Sequence, residues 1–224
     1  MDIGKSFSFT FDDEGWLTKV LMGGLFSFLS IILIGVPFLI GYFLETLKNV
    51  YLGQPRPLPN WGDNLGGMFV KGIKAMVGVL IWSLPIIILS CAFGVINGSL
   101  GAAMPSGNSS AAQGAVGVLV AVSFCFWCLI FLYSLVLTVV LPAALMNFAV
   151  DEKIGDFLAV GDLFGFISRN LGNYLIAIIL YWVASAVASF GVILCVVGVF
   201  FTTFWSMLVG AHLFGQVYRN ANPV

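Results

Sequence analysis

Between Ala75 and Val150 the chain runs for 76 residues without an Asp, Glu, Lys, Arg or His. A water-exposed fold of 224 residues has no room to hide a stretch this rich in Val, Leu, Ile and Phe, because it would present large apolar surface to solvent. One helix needs roughly 20 apolar residues to cross a ~30 Å hydrocarbon layer. The stretch therefore predicts two membrane helices. Asn97 to Gly114 between them is rich in Gly, Ser, Asn and Pro, and is expected to form an uncharged loop on the far side.

Composition extends this reading to the whole chain, which is 60% hydrophobic and 8% charged, with mean hydropathy +1.07. Such values belong to polytopic membrane proteins and predict a single membrane domain over residues 1–224. The net charge of −1 offers no basic surface for nucleic acid. Met1-Asp-Ile-Gly-Lys5 lacks a basic region followed by a cleavage site, so no removed signal peptide is expected. Asp2 stands where N-myristoylation needs glycine.

Taken in order, residues 1–15 alternate Phe7, Phe9 and Phe11 before Asp12, Asp13 and Glu14, a pattern suited to the headgroup region. Val20 to Leu44 is uncharged, with Gly35-Val-Pro37 in its middle. Proline inside a helix costs about 3 kcal/mol unless the helix ends or kinks there. Two short helices broken near Gly35–Pro37 are expected, crossing twice or re-entering. That arrangement puts all nine basic residues on one side (Lys5, Lys19, Lys48, Arg56, Lys71, Lys74, Lys153, Arg169 and Arg219), as cytoplasmic loops require.

Pro55, Pro57 and Pro59 mark an extended cytoplasmic linker. A helix is expected from about Gly66 to Phe93, with a kink at Pro85, and another from about Ala115 to Asn147, with a kink near Pro142. Asp151 to Asn173 mixes charges and aromatics, as an amphipathic interfacial segment does. Leu175 to Tyr218 has the length of two helices, with a turn at Ser189–Gly191 or, by preference, at Cys195–Gly198. The three hairpins then cover about 16–52, 66–147 and 171–218, joined by linkers 53–65 and 148–170. The expected fold is all-α: six transmembrane helices or half-helices, both termini cytoplasmic.

Few residues carry chemistry. Cys91, Cys125, Cys128 and Cys195 lie in apolar runs and are expected to be buried thiols. Nothing completes a metal shell around Cys125-Phe-Trp-Cys128, so no metal and no organic cofactor is expected. Asn97-Gly-Ser and Asn108-Ser-Ser have the form of glycosylation sequons, short enough to arise by chance. With one histidine, no Walker loop and no Gly-x-Ser-x-Gly, no catalytic set is visible, and a non-enzyme is expected.

An internal repeat is suggested instead. Asp-x-x-Gly recurs at Asp12, Asp63 and Asp162, and each Asp is expected to cap the following helix. The pairs Glu45/Asn49, Asn147/Asp151 and His212/Gln216 recur at inner helix ends, each spaced i, i+4 on one face. Three equivalent hairpins around one axis would bring these six residues into one polar cluster. Glu45 also has Lys48 within local pairing reach at i, i+3.

Met1-Asp-Ile-Gly-Lys-Ser-Phe-Ser-Phe9, Gly15-Trp-Leu-Thr-Lys-Val20 and Gly41-Tyr-Phe-Leu44 resemble the prokaryotic domain-of-unknown-function family 4013. So do Leu58-Pro-Asn-Trp61 and Ala211-His-Leu-Phe-Gly-Gln-Val-Tyr218. The resemblance implies a multi-pass protein of a prokaryotic cell membrane and implies no activity. The expected function is an accessory or scaffold subunit that packs with membrane lipid or other membrane-protein subunits. The alternative is a small transporter or channel with a polar site near the cytoplasmic side.

Overall fold

The computed structural model describes residues 1–102, 110–193 and 197–223. The described residues form eight α-helices: α1 (Ile3–Ser8), α2 (Trp16–Leu29), α3 (Val36–Tyr51), α4 (Leu65–Ala102), α5 (Ser110–Asp151), α6 (Val160–Arg169), α7 (Leu171–Ser189) and α8 (Gly198–Ala221). No strand occurs among them. Four helical stretches are long and apolar enough to cross a membrane: Leu65–Ala102, Gln113–Asp151, Leu171–Ile193 and Gly198–Ala221. Trp16–Ile32 is apolar but shorter.

The chain divides into two compact units, residues 1–78 with 140–224, and residues 79–139. In the first, α8 is the central element, packed against α1, α2, α3 and α7. Its aromatic core joins Phe9, Phe26, Tyr42, Trp61, Met68, Phe204 and Leu208. Tyr42 stacks on Trp61 at 4.3 Å and Phe26 on Trp61 at 4.7 Å. Two glycines let α3 and α4 meet backbone to backbone. A Cβ on Gly41 would collide with the Met68 carbonyl, and one on Gly72 with that of Pro37.

The chain breaks after a 3-10 turn at Ser30–Ile32, with Leu33 in the left-handed region at φ 64°. Pro37 then sits in the first turn of α3, where its missing N–H costs nothing. Pro85 and Pro142, by contrast, lie inside α4 and α5, each of which is one continuous helix. The second unit is a pair of helical stretches held by a Phe93–Phe126 stack at 3.8 Å and by the Tyr133 hydroxyl donating to the Trp82 carbonyl at 2.8 Å.

Several expectations need correction. The loop expected over 97–114 gives way to helix at both ends, because α4 runs to Ala102 and α5 starts at Ser110. Ala102 at one end and Ala111 and Ala112 at the other favour helix where the glycines alone suggested loop. Cys91, Cys125 and Cys128 are exposed rather than buried, since the two helices of the second unit have apolar side chains all round and cover only one flank of each other. Cys195, the preferred turn beginning there, and Asn108 of the second sequon lie outside the described residues.

Candidate functional site

The polar residues of the first unit gather at the end of the bundle away from the α2–α3 turn, in three sets. The first is built on the chain's beginning. Asp2 caps α1 by accepting the Lys5 N–H at 3.0 Å, which sets Ser6 and Phe9 against α8. Gln216 grips Asp2 from both sides: its Oε1 accepts the Asp2 N–H at 2.6 Å and its Nε2 donates to the Asp2 carbonyl at 3.1 Å. This fixes which way the amide points. Its Nε2 lies 2.8 Å from His212 Nδ1, so Nδ1 is the accepting ring nitrogen and the neutral ring carries its proton on Nε2.

Ser6 Oγ lies 2.9 Å from the same Nδ1. Ser6 Oγ also lies 3.0 Å from the Asp2 carbonyl and 3.0 Å from Gln216 Nε2, so Asp2, Ser6, His212 and Gln216 form one hydrogen-bonded cluster. Phe9 stacks on the imidazole at 4.3 Å, and His212 is 6% exposed. Beside these groups opens a cleft of about 370 Å³ lined by Asp2, Lys5, Arg56, His212, Arg219 and Asn220, among others.

The second set is an ion-pair network. Lys71, whose side chain is 5% exposed, reaches Glu45 at 2.7 Å and Glu152 at 2.8 Å, and Lys48 reaches Glu152 at 3.2 Å. Glu152 follows the end of α5 at φ 59°, a conformation that normally favours glycine. The two lysines hold it there. The Lys71 hydrogen bond, foremost, keeps the Glu152 carboxyl below the usual carboxylate range. Nearby, burial raises the Asp156 carboxyl, whose Oδ2 is buried without a partner.

The third set fastens the proline linker. Lys19 donates to Asp13 at 2.7 Å and to the Leu58 carbonyl at 2.9 Å. Trp61 Nε1 donates to the Lys19 carbonyl, the Tyr42 hydroxyl to the Pro59 carbonyl and Asn49 Nδ2 to the Pro57 carbonyl, at 2.9 to 3.0 Å. Arg56 pairs with Glu14 at the exposed edge. Residues 57–61 are thus bonded to α2 and α3.

The residues expected in a single cluster take separate direct partners. Among the described residues no hydrogen bond joins one of the three pairs to another. Glu45 turns to Lys71 and Asn49 to the linker, while His212 and Gln216 turn to Asp2 and Ser6. Asn147 lines a separate cleft of about 270 Å³ with Asp162, Arg169 and Tyr218, and Asp151 is exposed. The reason is that the first hairpin is flanked by α1 and the linker, which supply polar partners of their own.

The expected local pair fails likewise, since Lys48 reaches Glu152 and not Glu45. The caps are also corrected. Gly15 stands at the cap of α2 and Asp13 accepts its N–H, so Asp12 is not the cap. Asn64 accepts the Gly67 N–H in place of Asp63, which instead accepts from Asn60. Ala159 precedes α6, and Asp162 lies within its first turn. Sequence reasoning missed Ser6, Lys71 and Glu152, because their partners lie far away in the chain.

The model of the family described as "Protein of unknown function (DUF4013)" matches residues 25–197. Neither the curated proteins nor the solved structures contain a match.

Proposed function

We propose, for a chain that belongs to the DUF4013 family, a non-catalytic integral membrane protein that serves as an accessory or scaffold subunit. It lies in a prokaryotic cell membrane with both termini in the cytoplasm. Its six helices or half-helices form three hairpins, about 16–52, 66–147 and 171–218, joined by cytoplasmic linkers. Its partners are membrane lipid and other membrane-protein subunits.

The observation that carries this reading is how the polar groups are used. Lys19, Lys71, His212 and Gln216 are bonded to α1, the linker or the residue after α5, and Glu45 to Lys71 of α4, so they fasten the fold. Ion-coupled carriers, by contrast, keep such groups free near a path. Residues 79–139 add an exterior of Val95, Phe124, Trp127 and Leu129, all exposed, which suits lipid or a partner helix. A transporter is the second reading, favoured by the cleft beside His212.

Purified protein in sealed liposomes separates the two. The scaffold predicts no flux of protons, potassium or small organic ions above empty liposomes. It also predicts that a photo-cross-linking residue at position 124 or 127, in native membranes, gives one discrete protein adduct. Flux that is abolished by His212→Ala would establish the transporter in its place.

A further inference from the structure

The turns that close α2–α3 and α7–α8 sit side by side in the first unit. Phe28 meets Phe200 edge-on at 5.4 Å, and Phe201 packs on Gly24. Neither turn has a headgroup-seeking side chain. Ile31 to Gly41 reads Ile-Ile-Leu-Ile-Gly-Val-Pro-Phe-Leu-Ile-Gly, and Phe190 to Phe201 is equally free of charged, amide or hydroxyl groups and of Trp or Tyr. Both point apolar side chains outward. Leu33 is 72% and Ile193 79% exposed, and Ile31, Ile32, Ile34, Phe190, Val192 and Val197 are exposed with them. Turns that surface among far-side headgroups use polar residues and aromatic anchors.

The backbone carries an independent signal. In hydrocarbon each unpaired peptide group costs several kcal/mol, whereas at a water-facing turn solvent satisfies it. Around the first turn Leu33 N–H donates to Ser30 at 2.9 Å, Gly35 to Leu29 at 3.2 Å, Val36 to Leu33 at 3.4 Å and Leu39 to Gly35 at 3.1 Å. Pro37 has no N–H to satisfy, so of residues 33–37 only Ile34 lacks a backbone acceptor for its N–H. At the second turn Thr202 Oγ1 reaches across to the Ala188 carbonyl at 2.7 Å, pairing a group at the end of α7. The Thr202 hydroxyl thus closes the end of α7 from within the fold.

Length agrees for the first hairpin; Leu171–Ile193 and Gly198–Ala221 are longer, and their turn is tied to the first by the Phe28–Phe200 contact. The outward row on α2 and its 3-10 turn runs Leu17, Leu21, Leu25, Phe28 and Ile32. At 1.5 Å per residue this covers roughly 22 Å, against a hydrocarbon layer of ~30 Å.

We propose that both turns end within the hydrocarbon of the far leaflet. Residues 16–52 and 171–221 then enter and leave the membrane through one face, and lipid acyl chains cover the apolar turns. The proposal rests on the membrane reading above and decides between crossing and re-entry for these hairpins.

The test uses the full chain with Cys91, Cys125, Cys128 and Cys195 replaced by alanine. Single cysteines are placed at Lys5, Ile32, Ile193 and Leu129, and at Ile31 as a second site should I32C misfold. In permeabilised liposomes, where a charged maleimide reaches both faces, K5C should label rapidly. I32C, I193C and L129C should label at least about ten-fold more slowly, because a thiol in hydrocarbon forms little thiolate. Nitroxides at 32 and 193 should collide with oxygen and not with a water-soluble nickel chelate.

Labelling of I32C or I193C at the K5C rate, with L129C protected, would overturn the proposal and leave the membrane reading standing. Rapid labelling of L129C would overturn the membrane reading itself. Protection at 32 and 193 with low oxygen collision would mean protein covers the turns, and would overturn lipid as their occupant.

Discussion

Replacing Lys71 by methionine should destabilise the fold by about 2–3 kcal/mol. Methionine keeps the aliphatic stem in place, so the change removes a charge and little packing. Lys71 Nζ serves two carboxylates at once, 2.7 Å from Glu45 and 2.8 Å from Glu152. Without it Glu152 retains Lys48 at 3.2 Å, but Glu45, with a side chain 25% exposed, keeps no other ion pair. Breaking a fully buried pair costs about 3–5 kcal/mol, and an exposed one about 0–1. Glu45 is mostly buried and Glu152 is 41% exposed, which places the loss between those limits.

Denaturant unfolding in detergent micelles, followed by tryptophan fluorescence, measures the change. Glu45→Gln should rescue much of the defect, with a coupling of at least about 1 kcal/mol in the double-mutant cycle. The pH profile adds a second readout. The folded Glu152 carboxyl is held below its ordinary value of 4.5, first by its hydrogen bond to Lys71. It therefore contributes stability that is present above 4.5 and lost as pH falls through the folded value. Lys71→Met should flatten that acid limb. A cost under about 0.5 kcal/mol, well below the buried-pair range, or additive single mutants, would refute the reasoning.

Gly41→Ala should abolish or severely weaken the first unit, because the added methyl meets the Met68 carbonyl, which belongs to rigid helix backbone. Loss of a monodisperse peak in size-exclusion chromatography checks it, with Gly94→Ala, where a Cβ meets nothing, as the harmless control. Asp156→Asn should raise the unfolding midpoint at pH 7. Burial raises this carboxyl in the folded state, so charging it above its folded value weakens the fold, and wild-type stability recovers as pH falls towards its unfolded value. Unfolding curves of the two proteins should converge at low pH.

What the sequence made legible was set by local chemistry. The break before α3 could be placed because Gly35 and Pro37 restrict their own backbone whatever surrounds them. The α4–α5 stretch could be placed because 76 uncharged residues exclude water-exposed surface. Asn64 could have been chosen over Asp63 as the cap, since Asn64 directly precedes Leu65 where α4 begins.

The partner choices were not legible. Glu45 sits three residues from Lys48, yet its partner is Lys71, 26 residues away, because Gly41 and Gly72 draw α3 and α4 together. No periodicity announces that approach. The His212–Gln216 spacing was visible as a shared face, but its partners, Asp2 and Ser6, lie more than 200 residues upstream.

The position of α8 also has a consequence for how the chain is made. Every other helix that packs on α8 in the first unit is synthesised before it, and the Asp2–Gln216 clamp joins residues 214 apart. A nascent chain that has released α1 through α7 still lacks the surface on which α1, α2, α3 and α7 are assembled. Those helices must wait for it, with Lys71 and Glu45 able to pair but the N-terminal segment unanchored. Closure of this unit therefore waits for α8, and long-range closure of this kind is slow. Residues 79–139, a compact unit of their own, carry no such delay. A chain stopped before Gly198 should be recognised as unfinished by the cell's membrane proteases, even though most of its helices are already in place.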